Sequence, residues 1–188
     1  MAPQQPRDLS PLPNALEVIK NPGPFSSFSK SKVSLPPGEL VATLEATTLT
    51  PATATYATVQ VSRTQHVNLN SDFLYVNSSC DPSLEFHVVK RGAGGYASGS
   101  SGGGQFAIEV RVAAGRALRP GDDMTFFYPS TEWDMKQPFD CRCGSAKCKG
   151  VIRGAKYLTL SELEGYFVNN HIVELLKERE DQENGLRN

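Results

Sequence analysis

Four residues of this chain have the types and spacing needed to hold a metal ion. Cys141, Cys143 and Cys148 lie in the run D-C-R-C-G-S-A-K-C-K-G, and Cys80 stands apart in Y-V-N-S-S-C-D-P; the chain contains four cysteines in all. A structural zinc ion takes four thiolate or imidazole ligands in a tetrahedron, so Cys80, Cys141, Cys143 and Cys148 fill one site with none left over. Three near ligands and one distant ligand would tie the C-terminal segment to the body of the fold, and metal binding would then contribute directly to folding. Gly144 and Gly150 permit tight turns around the ion. The competing readings are free thiols, two disulfides, or two half-sites completed by other chains. Cys141 and Cys143 are too close for an unstrained bridge. Met1 to Pro13 is polar and proline-rich, without the apolar run of a secretory leader, so an intracellular location, cytoplasmic or nuclear, is expected and disulfides lack their compartment. One zinc site is the favoured expectation.

At 188 residues the chain is long enough for one domain with a real core and short for two. A formal net charge of −1 offers no general attraction to nucleic acid or to an anionic membrane. No apolar stretch approaches the roughly 18 residues of a spanning helix. Lys147, Lys149, Arg153 and Lys156 cluster around the cysteines, where they would offset the negative charge of four thiolates. The oligomeric state is not indicated.

The elements that must position these residues are mostly short strands. Glu39 to Leu44, Tyr56 to Val61, Phe73 to Val76 and Leu84 to Val89 read as β runs, and the alternation in Y-A-T-V-Q-V predicts a half-buried strand. Phe86 to Val89 and Phe106 to Val112 are expected to pair as a hairpin across the Gly-rich loop 92–104. That loop leads from strand to strand, so its glycines are not a phosphate cradle, which needs a strand-to-helix transition. Only the end is strongly helical: Ser161-Glu162-Leu163-Glu164 has capping-box spacing, and Leu163, Phe167, Ile172 and Leu176 contribute to an apolar face that Asn169-Asn170 is expected to break into two helices. The fold class is therefore mainly β with a C-terminal helix.

Three separated motifs resemble the SET-domain family of lysine methyltransferases. Asn77-Ser78-Ser79-Cys80-Asp81-Pro82-Ser83 resembles N-H-S-C-x-P-N, Gly121 to Tyr128 resembles G-E-E-L-T-F-D-Y, and Cys141 to Gly150 resembles the C-x-C-x-x-x-x-C-x-G of the post-SET zinc segment. A weaker match, Pro22-Gly23-Pro24-Phe25-Ser26 followed by P-P-G-E-L-V, is similar to the family's N-terminal strands. The resemblance implies a SET-like β fold with a pseudoknot and a post-SET zinc segment. Within the chain it implies a SET-like domain at 17–135 and the zinc segment at 136–157, while composition and periodicity predict a disordered Pro-rich tail at 1–16 and a helical segment with a charged tail at 158–188. In family members with this segment, the N-H-S-C cysteine joins the three later cysteines around one zinc, the same four residues that the ligand count selects.

By the same resemblance the cofactor is S-adenosylmethionine and the substrate a lysine in a protein. Tyr128 matches the tyrosine at the methyl-transfer centre, and Phe126 the position that sets how many methyl groups fit, phenylalanine favouring higher methylation. Asn77 matches the asparagine that holds the cofactor's amino-acid end; Gly23, Pro24, Phe25 and the backbone at Ser78 match other parts of its wall, and Val151 or Ile152 would cover the adenine. For Tyr128 alone, a core tyrosine with a backbone partner for its hydroxyl is the simpler reading. Tyr56 is a candidate channel residue, more simply a core residue. His66, His87 and His171 read as structural or exposed. No pre-SET cysteine cluster is present.

Ser78, Ser83 and Phe127 depart from the family's histidine, asparagine and aspartate, and Asn21 stands at the first glycine. These departures raise an alternative: a SET fold that no longer methylates lysine and acts as a binding module or shapes a small-molecule cyclisation or rearrangement. It would hold a small apolar ligand in a closed cavity lined by Phe126, Phe127 and Tyr128.

Overall fold

A computed structural model of the chain describes residues 14–45, 48–91 and 106–186. The described residues start at Asn14, and Ala15 is buried; residues 1–13 of the expected tail and the Gly-rich loop 92–104 lie outside the described residues. The architecture is mainly β with a C-terminal helix.

Strands β1 (Leu16–Ile19) and β2 (Phe28–Ser31) form an antiparallel pair. Next come β3 (Leu40–Leu44), β4 (Thr50–Ala52), β5 (Thr58–Gln60), β6 (His66–Asn68), β7 (Asn77–Ser78), β8 (Leu84–Lys90), β9 (Phe106–Val112) and β10 (Thr125–Phe126). The central sheet has the order β3-β9-β8-β10-β7, and a three-stranded sheet runs β4-β6-β5. The expected hairpin is present: β8 and β9 pair antiparallel from Leu84 with Val112 to Lys90 with Phe106. Phe106, Ile108, Val110 and Val112 alternate along β9 into the core, as a pleated strand requires. The short β10 lies parallel to both β7 and β8.

Strand β10 and the residue after it divide the interior. Phe126 enters the main core, stacked on Phe86 with ring centres 4.0 Å apart. Phe127 turns the other way, into a second core with Ile152, Leu158, Leu163, Ile172 and Leu176. Successive side chains of an extended segment face opposite sides, so one peptide step assigns the two rings to different cores. Strands β11 (Phe139–Asp140) and β12 (Val151–Ile152) pair antiparallel beside this second core, which α1 (Leu160–Leu163) and α2 (Asn170–Gly185) close.

Three local expectations are corrected. Asp72–Tyr75 is a 3₁₀ helix, and no strand runs from Phe73 to Val76. Only Phe73 and Val76 of that stretch are buried, three residues apart, which is the repeat of a 3₁₀ turn. The Y-A-T-V-Q-V run is not a half-buried strand: Tyr56 and Ala57 sit in a turn closed by the Thr58 N–H on the Thr55 carbonyl, and Thr58, Val59 and Gln60 are all buried. Gln60 escapes alternation because its amide has partners, accepting from the Trp133 N–H at 2.9 Å and donating to the Ser62 carbonyl at 2.8 Å. The capping box uses Thr159 and Glu162, two residues ahead of the expected Ser161 and Glu164. Both frames satisfy the S/T-x-x-E pattern; the observed one places Leu163 in the second core. The break at Asn169-Asn170 is present. Asn169 precedes α2, and its amide donates to the Phe86 and Ser130 carbonyls and accepts from the Val88 N–H, clamping the helix start to β8.

Candidate functional site

The four cysteines converge. Their sulfur atoms all lie within 4.8 Å of one another, the thiols are free of disulfides, and Cys80 Sγ is 3.8 Å from Cys141 Sγ. A tetrahedron with metal–sulfur bonds of about 2.3 Å has sulfur–sulfur edges of about 3.8 Å, so the set fits one zinc-sized ion. β7 leads directly to Cys80, and the 141–148 turn folds back so that the Lys149 N–H donates to Cys80 Sγ at 3.3 Å. The Tyr166 hydroxyl donates to the Cys80 carbonyl, 2.6 Å away, while its ring stacks on Phe127. These outer contacts are of the kind that orient metal ligands. Burial pushes Cys141 up to about 12 and raises Cys80. Burial also opposes ionisation of Cys143, but hydrogen bonds outweigh it and hold that thiol near 7. A divalent ion at the centre would favour the thiolate at all four positions.

Of the four cations expected to offset thiolate charge, Lys149 is the one whose backbone touches a thiol, and its ammonium lies 5.6 Å from the Tyr166 ring centre. Lys147 faces Asp81, and Lys156 pairs with Asp134. Arg153 lies over Tyr157.

On the other side of β10, Phe126 and Tyr128 line an open cleft together with Val76, Tyr56, Thr58 and Glu132. The Tyr128 hydroxyl donates to the Val76 carbonyl at 3.0 Å, the backbone partner expected of a core tyrosine, while its ring borders the cleft. Burial first, and the negative charge of Glu132 second, push the Tyr128 hydroxyl well above its ordinary range. It is therefore a neutral hydrogen-bonding group at physiological pH. Tyr56 is not a core residue: it is 67% exposed, at the cleft mouth.

The Gly23 turn meets this cleft from outside. Asn77 donates its amide to the Ser27 carbonyl at 3.0 Å, and Phe25 packs edge-on against Tyr56 at 5.4 Å. Gly23 has φ +104°, and no atom lies within 4 Å of where a Cβ would stand, so the turn is open as well as left-handed. Phe25 at φ +55° is strained and 71% exposed. Beside Asn77, the Ser78 hydroxyl is buried without a hydrogen-bond partner, a group that a ligand or water would satisfy.

The predicted site residues thus fall into distinct places. Gly23, Phe25, Asn77, Phe126 and Tyr128 connect through Ser27, Tyr56 and Val76. Val151 and Ile152 line a separate depression with Pro129, Lys149 and Arg153, to which neither Gly23 nor Asn77 contributes. Phe127 lies in the second core, so a cavity lined jointly by Phe126, Phe127 and Tyr128 is not formed. Ser83 is a buried strut, its hydroxyl donating to the Asp123 carbonyl at 2.8 Å and accepting from the Thr125 N–H at 2.9 Å. Glu132 is the cleft residue that sequence reading missed. Its one signal was its place four residues after Tyr128, a spacing closed here by the Glu132 N–H on the Tyr128 carbonyl at 3.0 Å.

No family model matches the chain. Methyltransferase flvH of Aspergillus flavus is 42% identical over 165 residues, which cover 87% of this chain and 82% of that protein. The chain belongs to the family of this methyltransferase. Histone-lysine N-methyltransferase ash1 of Drosophila melanogaster is 28% identical over 86 residues, which cover 46% of this chain and 3% of that much longer protein. Among the described residues no helix is long and apolar enough to cross a membrane.

Proposed function

We propose that this chain is an S-adenosylmethionine-dependent N-methyltransferase of the SET type, acting on the amine of a lysine side chain in a protein. The observation that carries the proposal is the cleft at Tyr128, where the 126–137 stretch, with Phe126 and Glu132, meets Val76, just ahead of β7, and Tyr56, on which Phe25 of the Gly23 turn packs. Parallel pairing of β10 with both β7 and β8 is compatible with a SET-like body spanning 17–135, and the meeting of Cys80 with Cys141, Cys143 and Cys148 supports a post-SET segment at 136–157. Similarity to a methyltransferase over most of the chain supports the reaction class.

When bound, S-adenosylmethionine supplies an electrophilic methyl group. Asn77, the open Gly23 turn with Pro24 and Phe25, and the backbone at Ser78 are suited to hold it. Tyr128 orients the acceptor amine, and the walls formed by Val76 and Phe126 exclude water, so most of the acceleration comes from placement. Phe126 presents no hydroxyl to the amine and leaves room for more than one methyl group. A structural zinc ion on the four cysteines holds the C-terminal segment in register with β7. The small-ligand reading has less support, because Phe127 faces away from the cleft it was expected to line.

Transfer of labelled methyl groups from S-adenosylmethionine to a lysine-rich protein extract tests the proposal. Wild type should label lysine, and Tyr128→Phe should lose about 100-fold or more in turnover while keeping cofactor affinity. Labelling that survives Tyr128→Phe unchanged would remove Tyr128 from the reaction.

A further inference from the structure

Glu132 is only 9% exposed, yet it borders the cleft that holds Tyr128. Its main chain is pinned at both ends: the N–H donates to the Tyr128 carbonyl at 3.0 Å, and the carbonyl accepts from the Ala155 N–H at 2.9 Å. One carboxylate oxygen accepts the Gln60 N–H at 2.7 Å, and the other lies 3.5 Å from His66 Nε2. The remaining walls are largely apolar, including Val59, Leu69, Phe73, Val76 and Phe126.

A carboxylate offers about four acceptor positions and is costly to bury unless they are used. Glu132 therefore has capacity beyond the Gln60 and His66 contacts. Its charge reaches Tyr128, whose hydroxyl it helps keep protonated. Lys136 is the other charged residue bordering the cleft and is exposed, so water screens it, whereas the Glu132 field acts through a drier medium.

We propose that Glu132 is the specificity-determining residue of this cleft, selecting a primary ammonium group over neutral or anionic groups of the same size and holding it beside Tyr128. The inference rests on the reading of the Tyr128 cleft as the acceptor site and adds the residue that chooses the acceptor's charge. Glu132 acts in capture: the bound ammonium gives up one proton to water at the open cleft mouth before the neutral amine accepts the methyl group, so in turnover loss of Glu132 raises KM more than it lowers kcat.

The test needs no cofactor. ¹⁵N-labelled, zinc-loaded full chain is titrated by NMR with n-butylammonium chloride, which mimics a lysine side chain, and with n-butanol at matched ionic strength. Butylammonium should shift the Val59 and Tyr128 amides saturably and bind about tenfold or more tightly than butanol. Glu132→Gln, whose amide oxygen still accepts from the Gln60 N–H, should erase that preference with the unfolding midpoint little changed, and Glu132→Asp should retain part of it. Equal affinity for the two probes in wild type, or an undiminished preference in Glu132→Gln, overturns the proposal. Equal affinity in wild type overturns the proposal even if Glu132→Gln unfolds, and in that case Glu132→Asp carries the attribution: a preference undiminished in Glu132→Asp also overturns it. Calorimetry with S-adenosylmethionine on the same sample separates the two readings: cofactor binding without the charge preference sinks this inference alone, and charge preference without cofactor binding sinks the methyltransferase reading alone.

Discussion

The two sides of β10 are built in opposite ways. On the thiol side, three of four ligands come from one eight-residue stretch, Cys141 to Cys148, and a single distant residue, Cys80, completes the set. On the cleft side Phe126, Tyr128 and Glu132 share one seven-residue stretch, but Tyr56 and Val76 arrive from far upstream, and Phe25 packs on Tyr56 from outside. A site made of local spacing is set by ligand chemistry, whereas a site made of distant walls depends on the packing of the whole sheet. Phe126 and Phe127, adjacent in sequence, report separately on the two.

The largest expected effect follows from breaking the thiol side. Cys148→Ser should abolish the proposed zinc binding and melt the second core, a cost above about 5 kcal/mol, because binding of a structural metal is folding free energy. Metal analysis with circular dichroism checks it; a metal-free wild type that is well folded would contradict the site.

Next come the paired rings. Phe126→Ala and Phe127→Ala should each destabilise by about 3–5 kcal/mol in chemical denaturation, since both side chains are buried. The side effects should split: Phe127→Ala weakens zinc retention against a chelator, while Phe126→Ala leaves zinc in place and enlarges the cleft. Zinc loss from both variants alike would erase the distinction between the two sides.

These contrasts explain what was legible in the sequence. The thiol site could be read because ligand number is a chemical rule that needs no fold. The β8–β9 hairpin was legible because both runs are strongly apolar and long for strands. Phe73 to Val76 was misread because four apolar or aromatic residues look like strand until burial shows that only every third one is used. The capping frame was ambiguous because Thr159 and Ser161 both satisfy the pattern, and only the burial of Leu163 selects between them. Glu132 was invisible because a single acid after a tyrosine carries no motif, and its importance comes from Gln60 and His66, which only the fold brings near. Phe127 was assigned to the wrong side because its neighbour's role was extended to it, although consecutive residues of a strand face apart.

A smaller effect is expected where the two sides are joined. Gly154 has φ +117°, and a Cβ there would stand 2.4 Å from the Trp133 carbonyl oxygen, a backbone atom. Gly154→Ala should therefore cost about 1–3 kcal/mol in thermal unfolding, and an unchanged midpoint would show that the 133–154 contact is loose.

The smallest effect is a pH dependence. Burial first lowers the affinity of His171 for protons, and the hydrogen bond between its Nε2 and the Thr131 carbonyl, at 2.9 Å, only partly compensates. The unfolded chain then binds the proton more readily, so stability is fully present above the ordinary histidine range and declines as pH falls below about 6.5. Wild type should lose more stability between pH 7 and pH 5 than His171→Gln, as measured by denaturant titration at each pH; equal losses would remove His171 as the cause.

The central claim, that the Gly23 turn and β7 hold S-adenosylmethionine beside the Tyr128 cleft, is tested most directly by titration calorimetry of the zinc-loaded chain with S-adenosylmethionine and with S-adenosylhomocysteine. Saturable one-to-one binding of both is predicted, weakened about tenfold or more by Asn77→Ala. No binding at millimolar concentration, or binding indifferent to Asn77, would contradict it.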